Sequence, residues 1–332
     1  MQLPLSLQMA LEEIAATIPL STLRSAYSKI SQSYRRGEDS GLLFRNREQI
    51  LAYLLARMPA TYAAVFKVLA SVQERLPDWR CSSVLDLGAG PGTASWAACE
   101  VFPTIDRVHL FERSAEVIEI GKKLALFSES PALKSGLWNR QDLTQFFTIP
   151  PADLTILSYV LAETDIHEAL GRIWDGKTVL ALIEPGTPDG FARIIAYRKK
   201  LIEMGAYIVA PCPHQQKCPI AGWCHFPARI ERTKVHKFLK EGTLGYEDEK
   251  FSYVVASPFP LLPVEGRVVA NPLKLSGHVK LTLCTQEGRI EEKTITKKIK
   301  NLYKQARDAE WSSLWNPNES SMYTSRDSRI DF

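Results

Sequence analysis

Apolar residues in the first quarter of the chain recur at three- and four-residue intervals, which is the spacing of one face of an α-helix. Ile50, Tyr53 and Leu54 follow this spacing. The pattern predicts an N-terminal helical region over residues 1–78. A break inside this region is expected at Pro59, because proline is favoured in the first turn of a new helix.

From residue 79 onward the pattern changes to short β-branched runs that alternate with helical stretches. Such alternation is typical of a parallel, doubly wound sheet with helices on its faces. We therefore predict an α/β fold built on a Rossmann-like sheet, with five strands at 83–87, 108–112, 137–142, 153–159 and 178–184.

The alternation stops after residue 205, where cysteine, proline and basic residues become frequent. Two further strands are expected at 251–256 and 278–285. The predicted parts after the helical region are a Rossmann-like methyltransferase domain at 79–205 and 251–290, a cysteine-rich basic metal-binding insertion at 206–250, a basic C-terminal helix at 291–315 and a polar tail at 316–332.

The overall composition excludes several classes of protein. The 332 residues are 45% hydrophobic and 23% charged, as in an average globular protein, so wholesale disorder is excluded. Six cysteines are too few for a disulfide scaffold. No apolar run is long enough for a membrane-spanning helix, so no membrane partner is expected. The N-terminus lacks the basic start and apolar core of a secretion signal, which predicts a cytoplasmic location.

The formal net charge of +4 conceals an uneven distribution along the chain. Residues 81–190 hold 8 Lys and Arg against 15 Asp and Glu, a net charge of −7. Residues 193–240 hold 10 against 2, and residues 274–308 hold 9 against 4, for net charges of +8 and +5. Positive charge is thus concentrated around the cysteine segment and near the C-terminus.

A glycine-rich turn, Asp86-Leu87-Gly88-Ala89-Gly90-Pro91-Gly92, separates the first predicted strand from the next helix. Glycine lets a ligand approach the backbone closely, and the following helix offers unpaired amide groups. The G-x-G-x-G spacing differs from the G-x-G-x-x-G of a dinucleotide-binding loop, and no Lys-Ser or Lys-Thr pair follows as in a phosphate loop.

Three acidic residues extend this constellation. Asp86 can accept a hydrogen bond from an ammonium group, and Glu112, at the end of the next strand, suits a ribose diol. Asp142 can face an adenine amino group. Together with the ordered strands, these residues resemble the class I S-adenosylmethionine-dependent methyltransferases over roughly residues 80–285. The resemblance implies S-adenosylmethionine as cofactor, bound by Asp86, Gly88, Gly90, Gly92, Glu112 and Asp142.

Catalytic residues stay unassigned, and whether the protein is an enzyme stays open. The segment after the fourth strand lacks the Asn/Asp-Pro-Pro-aromatic motif of amino-methyltransferases. Cys81 and Cys99 are poorly placed to act as nucleophiles. Glu163 and Glu184 are candidate bases, although an acid at a strand end is as often structural.

Three cysteines, Cys212, Cys218 and Cys224, follow one another at six-residue steps in a proline-rich segment. Such a segment can hold zinc or an iron–sulfur cluster through thiolates. A fourth ligand is needed, for which Cys284 is the natural candidate and His214 and His225 compete.

The cysteine segment, with its Cys-Pro-His, Cys-Pro and Trp-Cys-His-Phe sequences, carries a second resemblance. Together with Arg57-Met58-Pro59-Ala60-Thr61-Tyr62 and Glu184-Pro185-Gly186-Thr187-Pro188, it is similar to the methyltransferase-like assembly factors of the mitochondrial small ribosomal subunit and their bacterial relatives, over about residues 50–310. The resemblance implies a [4Fe–4S] cluster held by Cys212, Cys218, Cys224 and Cys284, and binding to small-subunit rRNA and proteins. The interval from Cys218 to Cys224 is shorter than in many relatives, which leaves zinc as the alternative.

Basic residues after the cysteine segment recur at three- and four-residue spacing and are expected to line one helical face. Lysine and arginine on one face can neutralise RNA phosphates, and Trp223, Phe226 and Phe238 can stack on unpaired bases. The expected RNA-binding residues are Arg229, Arg232, His236, Lys237 and Lys240.

The leading interpretation is an assembly factor of the small ribosomal subunit that binds S-adenosylmethionine and rRNA, carries a [4Fe–4S] cluster and is monomeric off the ribosome. One alternative is an active S-adenosylmethionine-dependent rRNA methyltransferase. A weaker one is a zinc-stapled methyltransferase that acts on a small molecule.

Overall fold

The computed structural model describes residues 1–35 and 46–317. Residues 318–332, which make up most of the predicted polar tail, lie outside the described residues. In the described residues, three helices precede the first strand: α1 (Leu5–Ala16), α2 (Leu20–Arg35) and α3 (Arg47–Arg75). None of the described helices is long and apolar enough to cross a membrane.

Helix α3 runs unbroken through Pro59, so the expected break there is wrong. Proline normally disfavours a helix interior because it lacks an amide hydrogen. Here both flanks of Pro59 are held by burial, since Leu55 and Tyr62 are almost fully inaccessible to solvent. The apolar face of α3 packs against the α/β sheet, and this packing outweighs the single lost hydrogen bond.

The α/β domain contains eight strands in one sheet. Its elements are β1 (Ser83–Leu87), α4 (Thr93–Val101), β2 (Arg107–Glu112), α5 (Ala115–Ala125), α6 (Pro131–Lys134), β3 (Leu137–Arg140), β4 (Leu154–Ser158), α7 (Leu170–Ile173), β5 (Val179–Pro185), α8 (Pro188–Glu203), β6 (Tyr207–Ala210), β7 (Phe226–Glu231), α9 (Lys234–Leu239) and β8 (Tyr246–Ser257).

The strand order is β3-β2-β1-β4-β5-β8-β6, and β7 also pairs with β8. Strands β1 to β5 run parallel to one another, as the sequence predicts, whereas β8 is antiparallel to β5, β6 and β7. The strand order reverses direction between β1 and β4, which is where open α/β sheets place their ligand-binding crevice.

A second, antiparallel sheet follows the first. It contains β9 (Gly266–Val268), β10 (Leu273–Lys274), β11 (His278–Thr285), β12 (Ile290–Thr296) and β13 (Leu314–Trp315), with α10 (Lys300–Asp308) packed on it. The predicted strand at 278–285 is thus present, but it lies in this second sheet.

The expected helix over 291–315 is wrong in its first part and at its end. Its first six residues belong to strand β12, and the helix covers only nine residues. Strand β12 pairs with β11 over seven residues. Only Ile295 of β12 is buried. Because the other positions are mostly polar and exposed, the sequence of β12 does not show the alternation of apolar and polar residues that identifies a strand.

Candidate functional site

A cleft of about 450 Å³ opens at the carboxyl ends of the parallel strands, where the strand order reverses. Its walls come from α3, from the glycine turn after β1 and from the segments that follow β2, β3 and β4. Four residues predicted from the sequence to bind cofactor line it together: Gly88, Gly90, Glu112 and Asp142.

The glycine turn needs residues without a side chain. Gly88, Gly90 and Gly92 have φ values of 72°, 55° and 84°, a left-handed region that other residues rarely adopt. A Cβ atom on Gly88 would lie 2.6 Å from Val160 Cγ2, whereas one on Gly90 would meet nothing within 4 Å. Gly90 is therefore the position where a ligand can come closest to the backbone.

Glu112 holds the turn in place. Its Oε2 atom accepts a hydrogen bond from the Gly90 amide at 3.0 Å, and its Oε1 atom accepts one from the Ser114 amide at 2.8 Å. Asp142 Oδ1 accepts hydrogen bonds from the amide and hydroxyl of Thr144 at 2.9 and 2.7 Å. These bonds lower the pKa of Asp142, so an ionised carboxylate faces the cleft.

The structure does not place Asp86 or Gly92 on the cleft wall. Asp86 is fully buried behind the turn, where its Oδ2 atom accepts hydrogen bonds from the Ser95 amide at 3.1 Å and hydroxyl at 2.8 Å. Gly92 instead caps α4 and lies against Leu110 and Trp138. The expected direct contact of Asp86 with a ligand ammonium group is therefore absent from this arrangement, because α4 takes up the carboxylate.

Three residues that were not among the predicted site residues form a network at the α3 side of the cleft. Arg57 Nη2 lies 2.9 Å from Glu249 Oε1, and the Tyr159 hydroxyl donates to the same oxygen at 3.0 Å. Tyr159 has a left-handed φ of 59°, and burial, reinforced by Glu249, raises the pKa of its hydroxyl. Glu249 comes from β8, 90 residues away from Tyr159, so only the fold reveals this contact.

The two candidate bases have different surroundings. Glu163 lines the cleft and pairs with Arg113 at 3.1 Å. Glu184 is fully buried, pairs with Arg193 at 2.7 Å and accepts a hydrogen bond from the Leu161 amide at 3.1 Å. Glu184 is thus a structural acid. Cys81 is buried and Cys99 lies within α4, and neither lines the cleft.

A second cavity, of about 30 Å³, brings together the four cysteines expected to bind metal. Cys212, Cys218 and Cys224 come from the loop between β6 and β7, and Cys284 comes from β11 of the second sheet. All four are free thiols. No group of three or more potential ligands within single-ion distance is found among residues 1–35 and 46–317.

The surroundings of the thiols are largely apolar, with Ile194, Ile220 and Phe226 among the lining residues. Burial raises the pKa of the Cys212 and Cys224 thiols, and it raises the pKa of Cys284 to about 12. Thiols in such a setting stay protonated unless a cation replaces the proton.

Two buried arginines line the same cavity. Arg198 and Arg267 are only 5% and 2% exposed. Arg198 donates to the carbonyl oxygen of His214 at 2.8 Å, and its Nε atom has no hydrogen-bond partner among the described residues. Arg267 donates to the carbonyl oxygens of Pro211 at 3.1 Å and Ser312 at 2.8 Å. Positive charge is therefore concentrated around the four thiols.

The two histidines that compete as a fourth ligand lie in different places. His214 Nε2 is 3.3 Å from the Cys284 sulfur. His225 does not line the cavity and instead stacks on Trp223 and contacts Trp311. His214 thus touches a cysteine of the set, whereas His225 faces away from it.

The basic residues predicted to share a helical face do not share one. Arg229 lies on β7 and pairs with Asp248, and only His236 and Lys237 belong to α9. Arg232, His236 and Lys240 all converge on Glu247. The three-residue spacing is therefore coincidental, because a strand, a turn and a short helix succeed one another here.

Comparison with known proteins identifies a family. The family described as mitochondrial small ribosomal subunit Rsm22 matches residues 47–316. The Rsm22-cox11 tandem protein 2 of Schizosaccharomyces pombe is 28% identical, over 80% of this chain and 43% of its own length. The human ribosome assembly protein METTL17 is 25% identical, over 80% of this chain and 62% of its own length. The chain thus spans less than two thirds of either relative.

Among solved structures, a precorrin-6y C5,15-methyltransferase from Geobacter metallireducens matches 57% of this chain and 87% of its own. Its TM-score is 0.38 and its identity 16%, a likeness too distant to bear on function.

The expected cytoplasmic location is contradicted by the yeast and human relatives, because both are named as mitochondrial proteins.

Proposed function

Because the chain belongs to the family of the mitochondrial small ribosomal subunit protein Rsm22, we propose that it is an assembly factor of the small ribosomal subunit. The family match over residues 47–316 carries this proposal. The human relative is itself named a ribosome assembly protein. The partners are then the rRNA and proteins of that subunit, and the chain is monomeric when it is not bound to them.

The cysteine cavity supports a bound [4Fe–4S] cluster with Cys212, Cys218, Cys224 and Cys284 as ligands. Four thiols around one largely apolar cavity are the donor set that such a cluster requires. When bound, the cluster supplies a structural crosslink between the loop after β6 and the second sheet. With four protein ligands it leaves no iron open to a substrate.

The buried arginines fit this group. Removing two guanidinium groups from water costs free energy unless negative charge compensates them. Four thiolates around a [4Fe–4S]²⁺ core, or around Zn²⁺, carry a formal net charge of about −2. Arg267 already has a carboxylate partner, Glu74, at 3.5 Å. Arg198 has no ion-pair partner among the described residues, and its unpartnered Nε atom leaves a donor for a thiolate.

Elemental analysis distinguishes the two metals. Anaerobically purified protein is expected to contain about four iron atoms and four acid-labile sulfides per chain. Cys284→Ser should lose both, whereas Cys81→Ser, which removes a buried thiol outside the cavity, should keep both. If the protein instead contains zinc and no acid-labile sulfide, the four cysteines bind zinc and the proposed cluster is wrong.

The cleft supports binding of S-adenosylmethionine at the glycine turn. Its volume of about 450 Å³ lies within the usual range for small-molecule sites. Gly90 permits close approach to the backbone, and Glu112 and Asp142 provide carboxylates. Tyr159 lies directly after β4 and is held there by Glu249 of β8, which also binds Arg57 of α3. A tyrosine fixed at this position favours binding of the cofactor without methyl transfer.

Two measurements test this part of the proposal. Calorimetry is expected to show binding of S-adenosylmethionine to the full chain. Incubation with tritiated S-adenosylmethionine and rRNA is expected to give no labelled RNA. Labelled RNA would establish the alternative, an active rRNA methyltransferase.

Binding to rRNA is supported by the exposed basic residues, with a revised set of contacts. Arg229 and Lys237 are exposed, whereas His236 is fully buried and Arg232 and Lys240 are largely buried against Glu247. Lys300, Lys304 and Arg307 lie one turn apart on α10 and are exposed. Such a basic face can neutralise successive phosphates.

Depletion of the protein from its own cells tests the proposed function as a whole. Sedimentation profiles are expected to show fewer mature small subunits and an accumulation of their precursors, with large subunits unchanged. Normal levels of mature small subunits after depletion would overturn the proposal.

A further inference from the structure

A pocket of about 290 Å³ lies between the loop that joins β6 to β7 (residues 211–225, here called the cysteine loop) and the second sheet. Trp223 and His225 form its wall on the loop side, and Thr282 and Ile290 contribute from β11 and β12. Trp311, which follows α10, forms a third aromatic side. The pocket lies beside the cysteine cavity but is lined by different side chains for the most part.

The aromatic rings of this pocket form a stacking platform. The ring of His225 lies 5.8 Å from that of Trp223 at an interplanar angle of 21°, and 5.1 Å from that of Trp311 at 58°. Trp223 is 45% exposed, although it is large and apolar. A tryptophan that stacks on a partner ring and still exposes nearly half of its surface is suited to receive a flat, unsaturated ring.

The charges beside the pocket indicate which flat ring it receives. Lys217, Lys250 and Lys280 are exposed, and none of them forms an ion pair among the residues that the structure describes. Lys217 belongs to the cysteine loop, and Lys280 lies two residues from Thr282 on the same face of β11. Lys250 pairs in register with Pro227, two residues after His225, so it lies near the loop wall of the pocket, while Glu292 lies opposite Thr282 on the sheet.

We propose that this pocket binds one unpaired nucleobase of single-stranded RNA. The base stacks on Trp223 and against Trp311, and the flanking phosphates lie over Lys217, Lys250 and Lys280. The inference rests on the proposed binding of rRNA and adds a preference for unpaired over paired nucleotides. Stacking accepts any base, since every base has an aromatic face, so little sequence preference is expected.

Binding of two fluorescent RNAs to the full-length protein, purified anaerobically, tests the inference. One is a single-stranded 12-nucleotide RNA and the other a fully paired duplex of the same sequence. The wild-type protein is expected to bind the single strand more tightly. Trp223→Ala should weaken that binding about tenfold or more, since stacking on one aromatic side chain contributes that much, and should leave the duplex affinity unchanged.

Two further variants control the result. Phe259→Ala removes another exposed aromatic ring, which is 40% exposed and does not line the pocket, and should bind both RNAs as the wild type does. Trp311 lies outside the cysteine loop, and Trp311→Ala should weaken binding of the single-stranded RNA as Trp223→Ala does. It therefore tests the pocket even if Trp223→Ala disturbs the neighbouring Cys224.

The outcomes separate the pocket from the wider proposal. If Trp311→Ala, and Trp223→Ala with its metal retained, bind single-stranded RNA as tightly as the wild type, the pocket does not receive a base, although binding to RNA stands. If the wild-type protein binds neither RNA, both the pocket and the proposed contact with rRNA are wrong.

Discussion

The carboxyl group of Asp86 lies behind the glycine turn, away from solvent, with only Oδ2 hydrogen-bonded. Burial raises its pKa from 3.8 to about 7. Between these two pH values the folded state binds the proton more strongly than the unfolded state does. Stability contributed by Asp86 is therefore full below pH 3.8 and is lost as the pH rises towards 7.

Asp86→Asn is expected to remove this pH dependence. At pH 8 the variant should be more stable than the wild type by up to about 4 kcal/mol, because one pH unit corresponds to about 1.4 kcal/mol. At pH 5, only slightly above the ordinary pKa of 3.8, the difference should fall to about 1.6 kcal/mol. Urea unfolding at the two pH values measures it.

Asp153→Asn is a matched control of opposite sign. Partial burial opposes ionisation of Asp153, but four hydrogen bonds from Ser82 and Ser83 lower its pKa. This variant should lose stability at pH 8. Equal effects of the two substitutions at pH 8 would contradict the assignment of Asp86 as a buried, destabilised carboxylate.

Gly88 and Gly90 allow a comparison within one turn. Both have a left-handed φ, but only a side chain on Gly88 meets an obstacle, at 2.6 Å from Val160. Gly88→Ala is expected to destabilise the fold by about 2 kcal/mol or more and to weaken binding of S-adenosylmethionine at least tenfold. Gly90→Ala should cost only about 1 kcal/mol of backbone strain.

Calorimetric titration and urea unfolding of both glycine variants give these values. Gly90→Ala should weaken the affinity for S-adenosylmethionine with little loss of stability, because its Cβ would enter open space in the cleft. Unchanged affinity in both variants would place the cofactor elsewhere.

The β8 strand and α9 helix are joined by a cluster of charges around Glu247. Arg232, His236 and Lys240 contact its carboxylate, and these four side chains are at most 15% exposed. Burial opposes ionisation of Glu247, but hydrogen bonds from His236 and Lys240 hold its pKa well below its usual range. Its contribution to stability is thus present above pH 4.5 and is lost as the pH falls further.

Glu247→Gln is expected to destabilise the protein by about 3 kcal/mol at pH 7, because it leaves three cationic or polar partners without their carboxylate. Asp248→Asn is the matched control on the same strand. It removes the exposed pair with Arg229 and should cost less than about 1 kcal/mol. Urea unfolding measures the stability of both variants. If Glu247→Gln and Asp248→Asn lose similar amounts of stability, the Glu247 cluster does not stabilise the fold more than an exposed ion pair does.

The exposed face of α10 is the element we expect to contact phosphates. The logarithm of the RNA-binding constant falls linearly with the logarithm of the salt concentration, and each phosphate contact on a single strand contributes about 0.7 to the slope. Replacing Lys300, Lys304 and Arg307 with alanine should therefore make this slope shallower by up to about 2. Filter binding at a series of salt concentrations measures the slope.

The control for α10 uses lysines from the acidic segment, residues 81–190. Lys123, Lys134 and Lys177 are also exposed, and their replacement by alanine removes the same number of positive charges. The slope of that triple variant should equal the wild-type slope. An equal decrease in both triple variants would mean that net charge, and not the face of α10, governs binding.

At the scale of the whole molecule, two elements extend from one candidate site to the other. On α3, Arg57 lines the cleft and Ser71 lies near the cysteine cavity. On β8, Glu249 contacts Arg57 and Tyr253 lines the cysteine cavity, with its hydroxyl 3.4 Å from that of Ser71. The cleft and the cysteine cavity therefore share one rigid support.

Local patterns predict the parts of this arrangement that are close in sequence. Strands β1, β4 and β5 are buried along nearly their whole length, so their apolar runs reveal them. Strand β2 is half buried and β3 is an exposed edge strand, and both are revealed by their place in the alternation with helices. Gly88, Gly90, Glu112 and Asp142 meet in one cleft because the carboxyl ends of parallel strands share an edge. The four cysteines were predicted as a set and do line one cavity.

Contacts between distant segments are not predictable in the same way. Glu249 meets Arg57 and Tyr159 only because β8 inserts antiparallel beside β5. Arg232 and Lys240 mimic a helical face in sequence, yet Glu247 draws them inward. Strand β12 carries lysine and glutamate on its exposed side, so its pattern is that of a polar helix until its pairing with β11 is known.

A crosslinking map of the protein on RNA in its native cells, prepared anaerobically, tests the central claim most directly. The claim is that the protein contacts small-subunit rRNA during assembly. We expect crosslinks to concentrate on small-subunit rRNA, at peptides that contain Trp223, Trp311 or α10. Crosslinks no more frequent on small-subunit than on large-subunit rRNA, after correction for abundance, would contradict it.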